Sequence, residues 1–186
     1  MNEPILLFTY GTMRSECYNN GRIKGSKFIG HAVTCEPMVM VAKTHPRQIP
    51  YVGRVADTHP LHGNEIPIEG EVYLIDRPTL QRVDRAEGHP YVYEREHCYV
   101  RMFENGEVLK CYIYVYDVEE TEYKAVPTGD FMDFYCPEKH KKQNHYDGKF
   151  YDPTLTTNHL SRRVQQKYGK SAVGSLVLPF SERKNR

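Results

Sequence analysis

The sequence lacks the features that mark membrane-spanning and secreted proteins. No apolar run approaches the roughly 18 residues of a membrane span. The first residues, Met-Asn-Glu-Pro, do not show the basic and then apolar order of a signal peptide. The five cysteines are odd in number and widely spaced, which favours free buried thiols over a disulfide framework. We therefore expect a soluble, cytoplasmic protein that does not associate with membranes.

Net charge is also nearly absent, at +1 for 186 residues, but its distribution is uneven. Residues 1–136 hold 14 lysines and arginines and 20 aspartates and glutamates, a net charge of −6. Residues 137–186 hold 11 lysines and arginines and 4 aspartates and glutamates, a net charge of +7. The length predicts one domain with an added arm. We expect a domain over 1–136 and a basic extension over 137–186 that packs on the domain or contacts an anionic partner.

The apolar pattern predicts a mixed domain in which strands outnumber helices. A helix is expected over 78–87, with Gly88 ending it, and a second one over 157–169 in the extension. Asn105-Gly106 predicts a two-residue hairpin turn that pairs Val100 with Cys111. Strands are expected at 5–10, 28–35, 37–41, 51–55 and 68–75. The expected fold class is α+β, a small mixed β-barrel with flanking helices.

The predicted helix 78–87 places carboxylates on the face that should be buried. Leu80 and Val83 form an apolar stripe that continues to Glu87, and Asp84 lies beside it. Burial and the negative end of the helix dipole both disfavour an anion at Glu87. Both effects raise its pKa toward a value that suits a general base. The alternative is a structural acceptor or ion-pair partner at a helix end.

A buried strand ends abruptly at Tyr10-Gly11-Thr12-Met13. A strand that runs into glycine can expose successive backbone N–H groups, and such a nest binds anions, carboxylates in particular. The alternative is a simple tight turn.

Four motifs stand in order over residues 5–135. They are Phe8–Met13, Ile68–Tyr73, Val83–Gly88 followed by Tyr91, Tyr93 and Arg95, and Gly129–Phe131. Together they resemble the gamma-glutamyl cyclotransferase-like (AIG2-like) superfamily, and the nearest pattern is that of the short gamma-glutamylamine cyclotransferase-like proteins. Met13 stands where the family has Leu, and Phe131 where it has Trp.

The resemblance implies a small barrel that releases 5-oxoproline from a gamma-glutamyl compound, without metal, cofactor or protein nucleophile. The α-amine of the substrate attacks its own γ-carbonyl, with Glu87 as general acid and base. The N–H groups of Gly11, Thr12 and Met13 would hold the gamma-glutamyl moiety. Tyr10 and Tyr93 would line the pocket, or serve only as packed aromatic residues.

Three alternatives remain open. The same fold could bind a small molecule without catalysis. The interleaved basic and aromatic residues of the extension could bind nucleic acid or another anionic partner, although no nucleic-acid motif is present. Cys136, His140 and His145 have the spacing of a partial zinc site, but a fourth ligand is missing and lysines surround them, so we expect no metal. The sequence predicts neither the identity of the released amine nor the oligomeric state.

Overall fold

A computed structural model describes residues 4–43, 49–118 and 124–133. Its helices are α1 (Arg77–Glu87) and two 3₁₀ helices, Tyr18–Ile23 and Phe131–Asp133. Its strands are β1 (Ile5–Thr9), β2 (Lys27–Thr34), β3 (Val39–Lys43), β4 (Ile49–Gly53), β5 (Glu69–Ile75), β6 (Glu94–Met102), β7 (Val108–Val115) and β8 (Lys124–Ala125).

Five of these strands close into a barrel in the order β1-β5-β2-β6-β7. The β1–β7 pair is parallel and the other pairs are antiparallel, so the barrel is mixed. A second sheet has the order β4-β3-β8. The predicted α+β class with a small mixed barrel is confirmed.

The interior of the barrel is filled by alternate residues of its strands. Phe8, Val72, Val100 and Ile113 are each exposed by 1% or less and belong to one apolar cluster. The strand ends that surround the candidate site are therefore held by a closed, densely packed core.

Helix α1 covers the outside of the barrel, as its apolar stripe predicts. Leu80 and Val83 are buried against Leu7 of β1. The helix begins where the Asp76 carboxylate accepts the Thr79 N–H at 2.8 Å. It ends at the expected glycine, in the left-handed conformation.

The predicted two-residue turn between β6 and β7 is wrong. A type I′ turn needs positive φ at both central residues, whereas Gly106 has φ +70° and Asn105 does not have positive φ. The Met102 N–H donates to the Glu107 carbonyl at 2.8 Å, so residues 103–106 form a four-residue turn.

The longer turn shifts the register of the β6–β7 ladder by two residues. Cys98 lies opposite Cys111, and Val100 lies opposite Leu109. A shift of two preserves the alternation of faces, and both thiols remain buried. Cys17 is buried as well, but Cys35 is exposed, so the expectation of buried thiols is wrong for Cys35.

The predicted helix 157–169, the extension 137–186 and Cys136 lie outside the described residues. The division of the chain at residue 136 therefore stays a prediction.

Candidate active site

The chain turns sharply after β1, where the substrate loop Tyr10–Met13 was predicted. Tyr10 is buried, and its hydroxyl donates to the backbone carbonyl of Tyr114 at 2.7 Å. At Gly11 the backbone passes close to Pro50, because a Cβ there would lie 2.6 Å from the proline Cγ. This close approach explains the glycine.

The carbonyl groups of the loop accept hydrogen bonds from neighbouring residues of the chain. Within the described ranges, however, the N–H groups of Gly11, Thr12 and Met13 make no hydrogen bond. Three successive donors without an internal partner are available to an anionic group such as a carboxylate. The carbonyl bonds are Arg14 N–H to Gly11 at 3.0 Å, Asn19 N–H to Thr12 at 2.8 Å and Asn20 Nδ2 to Met13 at 2.9 Å.

The two carboxylates near the end of α1 have different surroundings. Asp84 accepts Arg95 Nη1 at 2.7 and 2.5 Å and the Tyr114 hydroxyl at 2.6 Å. These contacts fix the helix end to β6 and β7. In the part of the chain that the structure describes, nothing donates a hydrogen bond to the Glu87 carboxyl. Glu87 therefore has a carboxyl group that is available for proton transfer.

Glu87 lies deep in the protein but keeps part of its surface open, since its side chain is only half-buried. Glu87 is therefore largely withdrawn from water, yet part of the residue stays accessible. Burial raises the pKa of Glu87 to about 7, and the positive charge of Arg22 opposes the shift. The upward direction agrees with the sequence-based expectation, and the value lies where a general base works best near neutral pH.

Tyr10 and Tyr93 share the electrostatic environment of Glu87. Burial is the main cause that raises the pKa of each phenol, and the charge of Glu87 raises both further. The Tyr93 hydroxyl donates to the Pro50 carbonyl at 3.3 Å, next to Gly11. The structure therefore brings together Tyr10, just after β1, Glu87 at the end of α1 and Tyr93, just before β6.

The sequence did not indicate three residues of this region. Tyr51 stacks on Tyr93 with ring centroids 5.8 Å apart, and Tyr116 contacts both rings at 4.5 and 5.5 Å. The backbone of Arg22 is hydrogen-bonded to α1, because its carbonyl accepts the Arg82 Nε–H at 2.7 Å. The one signal for Arg22 is its position in the 3₁₀ helix Tyr18–Ile23, a few residues after the loop.

Comparison with known proteins decides the family. The family model described as "Gamma-glutamyl cyclotransferase, AIG2-like" matches residues 7–133. The chain belongs to this family. The match includes the loop Tyr10–Met13 and Glu87. Its last residue, 133, is also the last residue that the structure describes.

Two relatives are similar to this chain over more than half of its length. A protein of Methanocaldococcus jannaschii, provisionally named a gamma-glutamylcyclotransferase, is 34% identical over 129 residues, which cover 69% of this chain and 96% of that protein. A Drosophila melanogaster protein with the same provisional name is 31% identical over 117 residues, 59% of this chain and 68% of its own length. The family and both names are those of cyclotransferase-type enzymes.

Solved structures show the same AIG2-like fold. A mouse AIG2-like protein has a TM-score of 0.55 at 21% identity, covering 66% of this chain and 83% of that chain. An uncharacterized Pyrococcus horikoshii protein has a TM-score of 0.52 at 20% identity, covering 76% and 99%.

Other features lie apart from this site. A surface groove of about 620 Å³ lies at the opposite end of α1, beside Lys24, Lys27 and Arg77. Among the described residues, no group of three His, Cys, Asp or Glu side chains could hold a metal ion, and no helix is long and apolar enough to cross a membrane. The Cys136, His140 and His145 cluster and the basic, aromatic stretch of the extension lie outside the described residues.

Proposed function

We propose that this family member releases 5-oxoproline and a free amine from a gamma-glutamyl amine or amino acid. The observation that supports this most strongly is the arrangement at the site. The half-buried Glu87 has a pKa of about 7 and no hydrogen-bond donor among the described residues, and it lies beside a loop with open N–H groups.

The open N–H groups of Gly11, Thr12 and Met13 bind the gamma-glutamyl moiety and hold it folded on itself. The reaction is intramolecular, so correct positioning of the α-nitrogen against the γ-carbonyl carbon supplies much of the rate enhancement. The rings of Tyr10 and Tyr93 line the same space and exclude water from it.

Glu87 moves the protons. The α-ammonium nitrogen loses two protons as it becomes the lactam N–H, and the leaving nitrogen gains two. One C–N bond forms and one breaks, and no water is consumed. Both nitrogens are attached to the same carbon in the tetrahedral intermediate, so one carboxyl group can accept each proton and return it.

The test is a panel of gamma-glutamyl amines and amino acids with purified protein, assayed for 5-oxoproline by mass spectrometry. We expect product from at least one compound and a loss of at least about 100-fold in kcat for Glu87→Gln. Glu104→Gln, an exposed carboxylate in the β6–β7 turn, is the matched control and should keep full activity.

Undiminished product formation by folded Glu87→Gln would exclude this role for the carboxyl group. Binding of the same compounds without any product would favour the alternative of a non-catalytic binding protein.

A further inference from the structure

A second carboxylate, Glu71, lies buried directly beneath the substrate loop. Its side chain is 3% exposed although it lies on the outer face of β5. A buried carboxylate is costly unless it is paired and hydrogen-bonded. The partners of Glu71 therefore indicate what holds it in place.

Among the described residues, all but one of the side-chain partners of Glu71 belong to Arg14 and Ser15, the two residues that follow the loop. Its Oε2 accepts the Ser15 backbone N–H at 2.7 Å, and its Oε1 accepts the Ser15 hydroxyl at 2.9 Å. Arg14 Nε lies 3.7 Å from Oε1. The remaining partner is the Tyr73 hydroxyl, at 2.8 Å. Glu71 thus fixes both the backbone and the side chains immediately after Met13.

Arg14 extends the network to a third segment. Its Nη1 contacts Asp130 Oδ1 at 2.5 Å, and the same oxygen accepts the Met132 N–H at 2.9 Å. Arg14 is 8% exposed, so solvent does little to screen the contact. Arg14 therefore contacts Glu71 of β5 and also Asp130, which directly precedes the 3₁₀ helix Phe131–Asp133 and is far from Glu71 in sequence.

We propose that Glu71, Arg14 and Asp130 form a clamp that fixes the Tyr10–Met13 loop with its N–H groups directed at the substrate. These are positioning residues: they act through the loop and do not touch the reacting atoms. The inference rests on the proposed function for its kinetic consequence but not for its effect on the loop.

Two arginines of this protein permit a matched comparison. Arg14 and Arg54 each bridge two carboxylates, Arg54 joining Glu36 and Glu96. Arg54 is exposed, whereas Arg14 is buried beside the loop. Arg14→Gln and Arg54→Gln therefore remove the same kind of network at the two places, and Glu71→Gln and Ser15→Ala probe the clamp from its other side.

Hydrogen exchange and kinetics on the full chain test the clamp. Arg14→Gln and Glu71→Gln should increase amide exchange at residues 14 and 15, whose N–H groups are hydrogen-bonded to the Gly11 carbonyl and to Glu71. Both should raise KM about tenfold, with the pH dependence of kcat unchanged. Arg54→Gln should leave both as in the wild type. If Arg14→Gln and Glu71→Gln do not fold, Ser15→Ala tests the clamp instead. It removes one hydroxyl and should show a smaller effect of the same kind.

Wild-type exchange at residues 14 and 15 in folded clamp variants would overturn the clamp, and faster exchange with unchanged KM would overturn its positioning role. If the wild type converts no gamma-glutamyl compound, the proposed function fails, and the exchange data alone decide whether the clamp exists.

Discussion

Asp84 and Glu87 lie one helical turn apart, and their surroundings separate their roles. The Asp84 carboxylate accepts hydrogen bonds from Arg95 and the Tyr114 hydroxyl. It is therefore a structural acceptor, the alternative that the sequence left open for a carboxylate at this helix end. Burial raises the pKa of Glu87 to about 7. Spacing predicted both positions but could not distinguish them, because the distinction depends on residues from β6 and β7.

The pH dependence of the reaction should follow Glu87. As a base the carboxyl must be ionised, so kcat/KM should rise tenfold per pH unit below the pKa and level off above about pH 7. Since the charge of Arg22 lowers the pKa of Glu87, Arg22→Gln should move the inflection to higher pH. The exposed Arg85 on the same helix supplies the control, because Arg85→Gln should not move it. An unchanged or lower inflection for Arg22→Gln would contradict this assignment.

At the scale of elements, the candidate site lies where the ends of β1 and α1 and the beginning of β4 are close to one another. The strand–glycine transition after β1 and the glycine stop of α1 were readable from local sequence. The contact of Gly11 with Pro50 was not, because it joins segments of different sheets. Glu71 was missed for a similar reason: alternation places it on the outer face of β5, and only the fold shows that the loop covers it.

Gly11→Ala tests the close approach of the loop to Pro50. A Cβ at 2.6 Å from the proline Cγ forces a shift of the loop or of β4, so KM should rise by about tenfold or more while the protein stays folded. Gly21→Ala is the matched control in the neighbouring 3₁₀ helix, because a Cβ there meets nothing within 4 Å. Equal kinetics for the two variants would show that the contact does not shape the loop.

At the scale of the whole molecule, the sequence predicted the fold class and family but not the register of the β6–β7 ladder. The Asn-Gly pair suggested the shorter turn because that pair suits type I′ geometry. In the fold, the four-residue turn preserves the inward face of every paired residue, so periodicity cannot separate the two registers. Loop contacts such as Arg14 with Asp130 are equally invisible to a local pattern.

The burial of Glu87 should also appear in the stability of the whole protein. A carboxyl whose folded pKa is about 7, against an ordinary 4.5, binds its proton more tightly in the folded state, so stability falls as pH rises from about 4.5 through 7. Glu87→Gln cannot ionise and should be roughly 1–3 kcal/mol more stable than the wild type at pH 8 and equal at pH 4. Denaturant unfolding at both pH values measures this, with Glu104→Gln as control. A Glu87→Gln variant that gains nothing at pH 8 would contradict the buried position.

The most direct test of the central claim is the identity of the product in water labelled with ¹⁸O. Ring closure by the substrate's own amine, assisted by Glu87, predicts unlabelled 5-oxoproline equimolar with the released amine, and a loss of both in Glu87→Gln. Glutamate that contains ¹⁸O would show that water attacks the γ-carbonyl instead, and would contradict the account.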